Sequence, residues 1–197
     1  MYRNIEKDDF DGRWIDAVDL YRKGDKTGAL FRFKKLAQEG CAAALVEIGN
    51  IYERGGGGVS SDVFEAEVWY LRSVEVLDDP KAHLALGRIY LDFSGFSQRF
   101  DKAHYHLSLL EDSSEMGAFY GLGLIYEKGL GVREDVEKAL AFYQKAMTLG
   151  HIGALRNAAR LLFKIQPGTA LKLWLRYTRL SLSLGKRLKI DRRMLVA

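Results

Sequence analysis

The four histidines are the side chains best suited to metal or proton chemistry, and their spacing does not form a site. His104 and His106 stand two residues apart on a predicted helix, so their side chains diverge. A metal bound from one helix needs histidines four residues apart. We therefore interpret them as surface or partly buried side chains, with a zinc site as the minor alternative. His83 and His151 fall at predicted helix starts, where no ligand pair stands near them.

The run Gly55–Gly58 most resembles a phosphate-binding loop. A phosphate loop ends in Gly-Lys-Ser/Thr and follows a strand, whereas this run lacks that ending and follows a predicted helix. The run therefore predicts a turn between two helices.

The acids and the cysteine give no catalytic constellation either. Paired acids at 8–9, 78–79 and 134–135 stand at predicted helix starts, where capping and the helix dipole favour negative charge. Cys41 is the single cysteine, which excludes an internal disulfide and a cysteine-based metal site. We therefore expect a protein that is not an enzyme, with no metal and no cofactor.

Charge is distributed unevenly along the 197 residues. Residues 156–197 carry eleven basic side chains against one acid, Asp191, for a net charge of +10. Residues 1–155 carry nineteen basic and twenty-five acidic side chains, for a net charge of −6, and the two sum to the chain's +4. A basic segment of this kind suits acidic partners, anionic membranes or nucleic acid.

The sequence predicts neither a membrane span nor a secretory signal. No apolar run approaches the roughly 18 residues that a spanning helix needs. Residues 1–14 contain four acids and no apolar centre, unlike a signal peptide. We therefore expect a cytoplasmic protein.

A repeat of 36 to 38 residues organises the chain. Four alanines mark it with spacings of 38, 36 and 36 residues: Ala44, Ala82, Ala118 and Ala154. Each stands eight residues before Tyr52, Tyr90, Tyr126 or Leu162. A fixed period of this length is typical of stacked supersecondary units, each of which buries its apolar side against its neighbours. The sequence thus predicts a helical solenoid.

The fourth unit shows the pattern most fully. Ala118, Leu122 and Ile125 recur at helical spacing and predict the apolar face of a first helix. Gly129 and Gly131 then predict a tight connection, because glycine ends helices and permits positive φ angles. A second helix follows that connection.

This pattern resembles the Sel1-like repeat, a longer-looped relative of the tetratricopeptide repeat. In the fourth unit the resemblance rests on Leu122, Gly123, Tyr126, Gly129, Gly131, Val132, Asp135, Lys138, Ala139, Phe142 and Tyr143. In the second it rests on Ile48, Gly49, Tyr52, Gly55, Gly57, Val59, Asp62, Ala66, Trp69 and Tyr70. The third unit departs, since Phe93 and Phe96 replace a loop glycine and valine, which predicts an irregular loop.

The resemblance implies an all-α fold, a right-handed α/α superhelix of about five helical hairpins. We place the hairpins at 11–40, 42–77, 80–112, 116–150 and 152–184, in one domain over 1–197. A basic tail at 185–197 follows.

In the tetratricopeptide family the first helices line a concave groove, and contact positions lie at fixed offsets from the tyrosine. In the first three units the resemblance carries these offsets to Ile15, Asp19, Arg22 and Lys23; Val46, Asn50, Glu53 and Arg54; and Leu84, Arg88, Leu91 and Asp92. In the last two units it carries them to Tyr120, Leu124, Glu127 and Lys128, and to Arg156, Arg160, Phe163 and Lys164. This groove is mixed in its middle and basic at its carboxyl end, which suits an acidic peptide or a chain-terminal carboxylate. The alternative interpretation is a solvated helix face.

The leading hypothesis is a non-enzymatic adaptor or scaffold that binds a protein or peptide partner in this groove. The alternative concerns a helix predicted over 169–184, where Lys172, Arg176 and Arg179 form a row at helical spacing that continues to Lys186. With the basic tail, such a helix suits peripheral association with an anionic membrane or with nucleic acid.

Overall fold

The computed structural model describes residues 11–92, 99–163 and 165–194. Ten helices occur in these ranges: α1 (Asp11–Arg22), α2 (Lys26–Gln38), α3 (Ala44–Arg54), α4 (Val63–Leu77), α5 (Pro80–Tyr90), α6 (Phe100–Ser108), α7 (Met116–Lys128), α8 (Val136–Thr148), α9 (Ile152–Leu162) and α10 (Pro167–Met194). The chain divides into two compact units, Met1–Gln98 with α1 to α5 and Arg99–Ala197 with α6 to α10. The single domain over 1–197 stays a prediction.

Unit 1 is built from helices that pack on their neighbours in the chain. The hairpin α1–α2 packs through α2 on α3, and the hairpin α3–α4 packs through α4 on α5. Phe33, Leu36, Leu45, Ile48 and Ile51 are buried in its interior. Helices of 11 to 15 residues are marginal alone in water, so this packing supplies most of their stability.

Unit 2 repeats the arrangement with its own interior. The hairpins α7–α8 and α9–α10 stack through α8 and α9, and α6 packs on α7. Leu122, Ile125, Tyr143 and Leu155 are buried where these helices meet.

One glycine in each unit allows a tyrosine to lie directly against the first helix. A Cβ atom built on Gly49 would stand 2.5 Å from Cε1 of Tyr70, and one built on Gly123 would stand 2.5 Å from Cε1 of Tyr143. Real Cβ atoms do not approach other carbon atoms this closely. The Leu/Ile-Gly-x-x-Tyr pattern therefore places glycine where the second helix of the hairpin needs the space.

The long connections between the two helices of a hairpin are held by helix caps, and the one after α3 also contacts the hairpin before it. Asp62 and Asp135 accept hydrogen bonds from backbone N–H groups at the starts of α4 and α8, at 3.0 and 2.9 Å. The run Gly55–Gly58 forms a turn against the start of α2, where the Thr27 hydroxyl donates to the Gly57 carbonyl at 3.1 Å. Glycine is needed in this turn because all four φ angles are positive.

The predicted all-α class and the stacked helical hairpins are confirmed. The last helix differs from the prediction in extent, because α10 covers 28 residues and continues to Met194 through most of the segment expected to be a tail. Phe93 and Phe96, the residues of the expected irregular loop, lie outside the described residues.

Candidate functional site

Three predicted groove residues of unit 1 gather around the hydroxyl of Tyr70. This hydroxyl donates to Oε2 of Glu53 at 2.7 Å and lies 2.9 Å from Oδ1 of Asn50. Arg88, on α5, donates through Nη2 to the same Glu53 oxygen at 2.6 Å. The Glu53 side chain is 17% exposed and that of Arg88 is 53% exposed. Arg88 thus joins the first helices of two successive hairpins and keeps half of its surface in solvent.

An equivalent cluster surrounds Tyr143 in unit 2. The Tyr143 hydroxyl donates to Oε2 of Glu127 at 2.5 Å and accepts from Nδ2 of Asn157 at 3.2 Å. Arg160, on α9, pairs with the other Glu127 oxygen. The Glu127 side chain is only 5% exposed, whereas that of Arg160 is 61% exposed. A carboxylate buried to this degree needs a compensating charge, and Arg160 supplies it.

The repeat register explains why the two clusters coincide. Each glutamate directly follows a repeat tyrosine, Tyr52 or Tyr126, at the end of a first helix. Each arginine stands two residues before the position that matches this tyrosine in the next repeat, which is Tyr90 for Arg88 and Leu162 for Arg160. Stacked helices that keep one register bring these positions together in every pair of hairpins where both residues are present.

Burial changes the acidity of both central tyrosines. Loss of solvent disfavours the phenolate and raises the pKa of Tyr70 well above its ordinary value, and the hydrogen bond to Glu53 raises it further. Burial likewise raises the pKa of Tyr143. Both hydroxyls therefore stay protonated at neutral pH and act as hydrogen-bond donors to the glutamates.

The predicted residues of unit 2 also form a surface of two exposed arginines beside partly buried Tyr120 and Leu124. Arg156 stands one turn before Arg160 on α9, is exposed, and makes no ion pair with the described residues. The Tyr120 ring stacks on the ring of His151, with centroids 4.1 Å apart, and Leu124 lies partly buried on the same helix as Tyr120. We name Arg156, Arg160, Tyr120 and Leu124 the arginine face.

His151 shapes the edge of this face. Its Nδ1 accepts the backbone N–H of Ala154 at 3.2 Å and so caps the start of α9. Burial lowers the pKa of His151 below its ordinary value. The neutral ring, which keeps a lone pair for the cap, is therefore the form that the fold favours.

The remaining groove predictions have different surroundings. On α1, Asp19 is partly buried and Arg22 is exposed, and Asp92 is exposed after α5. Arg54 donates to the Tyr21 hydroxyl at 3.3 Å, and this hydrogen bond raises the pKa of Arg54.

Two residues that the related family's offsets predict to line the groove, Val46 and Leu91, are instead buried. Val46 and Leu91 are 4% and 8% exposed, so the expectation that they contact a partner is wrong. Both side chains belong to the packing between helices. Phe163 is 63% exposed. Lys164 lies outside the described residues.

The repeat pattern includes Tyr70 and Tyr143 only as signature positions and does not indicate Asn157. Both tyrosines donate to groove glutamates, and Asn157 donates to the Tyr143 hydroxyl. The signal for the tyrosines is present in the aromatic pairs Trp69-Tyr70 and Phe142-Tyr143. Both pairs end in tyrosine, and a buried tyrosine hydroxyl requires a hydrogen-bond partner. Asn157 could not be recognised from the repeat pattern, because the equivalent positions of the third and fourth repeats are not polar.

Metal chemistry has no ligand set in the part of the chain that the structure covers, since no three His, Cys, Asp or Glu side chains there stand close enough to hold an ion. Nε2 of His104 lies 3.1 Å from the Tyr126 hydroxyl, and His106 is buried. Within residues 11–92, 99–163 and 165–194, no helix combines the length and the apolar character needed to cross a membrane.

Comparison with known proteins agrees with the repeat geometry. The Sel1 repeat matches residues 42–75 and 118–151, the hairpins that carry the Tyr70 and Tyr143 clusters. The fold resembles that of a Sel1 repeat protein from Oxalobacter formigenes, with a TM-score of 0.71 and 22% identity over 89% of this chain and 76% of that one.

Two longer proteins share part of this sequence. The protein NMB1327 of Neisseria meningitidis serogroup B is 26% identical over 68% of this chain, which spans 27% of NMB1327. The ERAD-associated E3 ubiquitin-protein ligase component HRD3B of Arabidopsis thaliana is 28% identical over 52% of this chain, which spans 16% of HRD3B. The two matched repeats and the shared fold support the assignment of this chain to the Sel1-like repeat family.

Proposed function

We propose that this protein is a non-enzymatic adaptor and that the arginine face of unit 2 binds an acidic segment of a protein partner. Sel1 repeats in general mediate protein–protein interaction. The single observation that carries the proposal is Arg156, an exposed guanidinium without an ion pair among the described residues, one helical turn from the half-exposed Arg160.

The balance of charge favours unit 2 over unit 1 for this role. In unit 1, Arg88 already pairs with Glu53, and Arg54 donates to the Tyr21 hydroxyl. The other charged groove residues there sum to zero: Arg22, Lys23, Asp19 and Asp92. In unit 2, Glu127 is buried and neutralised by Arg160, which leaves Arg156 as net positive charge. A guanidinium can hold a carboxylate through two parallel hydrogen bonds.

The aromatic and apolar members of the face add contact area beside the charge. The Tyr120 ring lies 5.9 Å from the Tyr143 ring and is fixed by its stack on His151, so it presents a rigid surface. Rigid aromatic side chains contribute strongly to recognition because little side-chain entropy is lost on binding. We therefore expect a partner segment with a carboxylate next to an apolar residue.

A peptide display library tests this proposal, because it offers acidic, neutral and basic segments to the protein in one experiment. Wild-type protein should enrich peptides rich in Asp and Glu, and Arg156→Glu should remove that enrichment. Arg133→Glu is the matched control, because Arg133 is exposed in the α7–α8 connection of the same unit and carries the same charge. A library that shows no acidic enrichment, or equal enrichment by Arg156→Glu, contradicts the proposal.

A further inference from the structure

The helices α2, α4, α6 and α8 share one buried position. Each carries a fully buried alanine, and the residue four positions later is 2% exposed or less: Phe33, Tyr70, Leu107 and Tyr143. The helices that follow them, α3, α5, α7 and α9, pack on them. In α8 the contact is direct, because Asn157 of α9 donates to the Tyr143 hydroxyl at 3.2 Å. This side of the helix therefore receives the first helix of the following repeat.

Trp174 holds the same position on α10 and is 50% exposed. Ala170, four residues earlier, is fully buried like the other alanines, so α10 keeps the register of the repeat. Leu171 is also 50% exposed, whereas its equivalent on α8, Leu140, is partly buried. The side of α10 that corresponds to the stacking side of α8 is thus open.

Phe163, at the end of α9, extends this open side. By the repeat register Phe163 corresponds to Glu127, and Trp174 corresponds to Tyr143. Glu127 and Tyr143 form a polar pair, to which α9 adds an arginine and an asparagine. Phe163 is 63% exposed, and neither its ring nor an indole accepts hydrogen bonds from such groups. The open side therefore suits apolar side chains.

Basic side chains border this surface on α10. At 100° per residue, Trp174, Leu171 and Leu175 fall within about 100° of one another, and Leu175 is 53% exposed. Arg179 and Lys172, both exposed, follow within about 60° of Leu175. The sequence contains no acid from residue 138 to residue 190. We name Phe163, Leu171, Trp174 and Leu175 the open stacking face, and Arg179 and Lys172 its basic border.

The charges of this chain disfavour a second copy as the occupant. Its first helix, α1, carries Asp16 and Asp19 at the positions where α9 carries Asn157 and Arg160. Stacking α1 on the open stacking face would set two carboxylates against aromatic rings, and burying an unpaired carboxylate is costly. A symmetric antiparallel contact between two copies of α10 would place one basic border beside the other, which is repulsive. The occupant must instead bring acids of its own.

We propose that the open stacking face binds an amphipathic helix of a different protein, with an apolar row bordered by acids. The helix occupies on α10 the place that α9 occupies on α8, since α2, α4, α6 and α8 each receive a helix at that side. Its apolar row covers the open stacking face, and its acids pair with the basic border. The site uses neither Arg156 nor Tyr120, so it is separate from the arginine face.

A library of displayed single helices, randomised along one face, tests this proposal. Variant A is Leu171→Gln with Leu175→Gln, which makes the face polar, and variant B is Lys172→Glu with Arg179→Glu. The matched control is Val68→Gln with Leu71→Gln, two apolar residues of α4 that are 45% and 42% exposed. Thermal unfolding followed by circular dichroism verifies that each variant is folded.

Wild type and control should enrich helices that carry apolar residues three and four positions apart with Asp or Glu beside them. A selected helix, synthesised as a peptide, should bind variant A at least about tenfold more weakly than wild type. Variant B should also bind it more weakly, above all at low salt. In NMR spectra of the wild type, the peptide should shift the indole N–H signal of Trp174 more than those of Trp14 and Trp69. Arg156→Glu should bind the peptide like wild type.

Peptide binding that variant A retains overturns the proposal, as does a library without enrichment of acidic amphipathic helices. Loss of binding in Arg156→Glu would assign the peptide to the arginine face and also overturns it. So does a wild-type protein that enriches no helix and instead associates with itself, or binds vesicles of anionic phospholipid, through the residues changed in variant A.

Discussion

Arg88 reaches from the first helix of one hairpin to the carboxylate of Glu53 at the end of the first helix before it, at 2.6 Å. The repeat offsets predict both residues as partner contacts. Their pairing shows that part of the predicted groove already serves the junction between hairpins. Arg160 pairs with Glu127 in the same way, and the Glu127 carboxylate is more deeply buried than that of Glu53.

Replacing Arg160 should destabilise the fold. In Arg160→Gln the Glu127 carboxylate, 5% exposed, loses its compensating charge, and the Arg160 side chain is exposed enough that solvent screens part of the effect. We expect a loss of about 1–3 kcal/mol in the free energy of unfolding, measured by urea titration.

A matched control and a rescue make that measurement specific. Arg133→Gln, an exposed arginine of the same unit, should change stability by less than about 0.5 kcal/mol. Adding Glu127→Gln to Arg160→Gln should recover part of the loss, because no buried charge then remains. If wild type and Arg160→Gln are equally stable, the ion pair of Arg160 with Glu127 contributes nothing to the free energy of unfolding.

Alkaline solution should unfold the protein through its central tyrosines. Burial raises the pKa of Tyr70 and Tyr143, so above about pH 10 the unfolded chain loses protons that the folded chain retains. Stability from these groups is therefore complete below that pH and falls as pH rises. The midpoint of thermal unfolding should drop between about pH 9 and about pH 11.

Tyr143→Phe separates this effect from other alkaline titrations. The variant should be less stable than wild type at neutral pH by about 1–2 kcal/mol, because Glu127 and Asn157 lose a partner. Its further loss of stability above about pH 10 should be smaller than that of wild type. An identical alkaline profile contradicts a role for Tyr143.

Gly123 should tolerate no side chain. In Gly123→Ala the new Cβ atom would meet Cε1 of Tyr143 at 2.5 Å, so the hairpin must open or the ring must move. We expect a loss of about 1–3 kcal/mol by urea titration. Gly168→Ala is the control, since nothing lies within 4 Å of its Cβ position in α10, and alanine there should be neutral or stabilising by up to about 1 kcal/mol.

Mild acid should weaken the start of α9. Burial lowers the pKa of His151, so as pH falls below about 6.5 the unfolded chain binds a proton that the folded chain resists. Stability is then present above that pH and is lost as pH falls through the lowered pKa.

His151→Asn checks this acid effect, because asparagine caps helices without titrating. Its thermal midpoint should change less than that of wild type between about pH 7 and about pH 5. If both proteins lose the same stability over that interval, other groups carry the acid effect.

The hairpins could be predicted from the sequence because their determinants are local. Gly123, Gly129 and Asp135 each act within one hairpin, by permitting close approach, ending a helix or capping one. The extent of α10 was harder to predict. The helix continues beyond the predicted end at residue 184, and no proline follows there to end it.

The site was harder to predict than the fold for a physical reason. The spacing of residues along a helix predicts which side chains share a face. It does not predict which of them form ion pairs with residues of a neighbouring helix. Arg160 and Arg156 are equivalent by that criterion, and only the stacking of α9 on α7 and α8 assigns Arg160 to Glu127 and leaves Arg156 in solvent.

The most direct test of the proposed function is an NMR titration of the wild-type chain with an acidic peptide selected by display. We predict that the largest amide shift changes fall in α7 and α9, around Tyr120 and Arg156, and that Arg156→Glu abolishes them while Arg133→Glu does not. Shift changes confined to the outer helices α8 or α10, or retained in Arg156→Glu, would contradict binding at the arginine face.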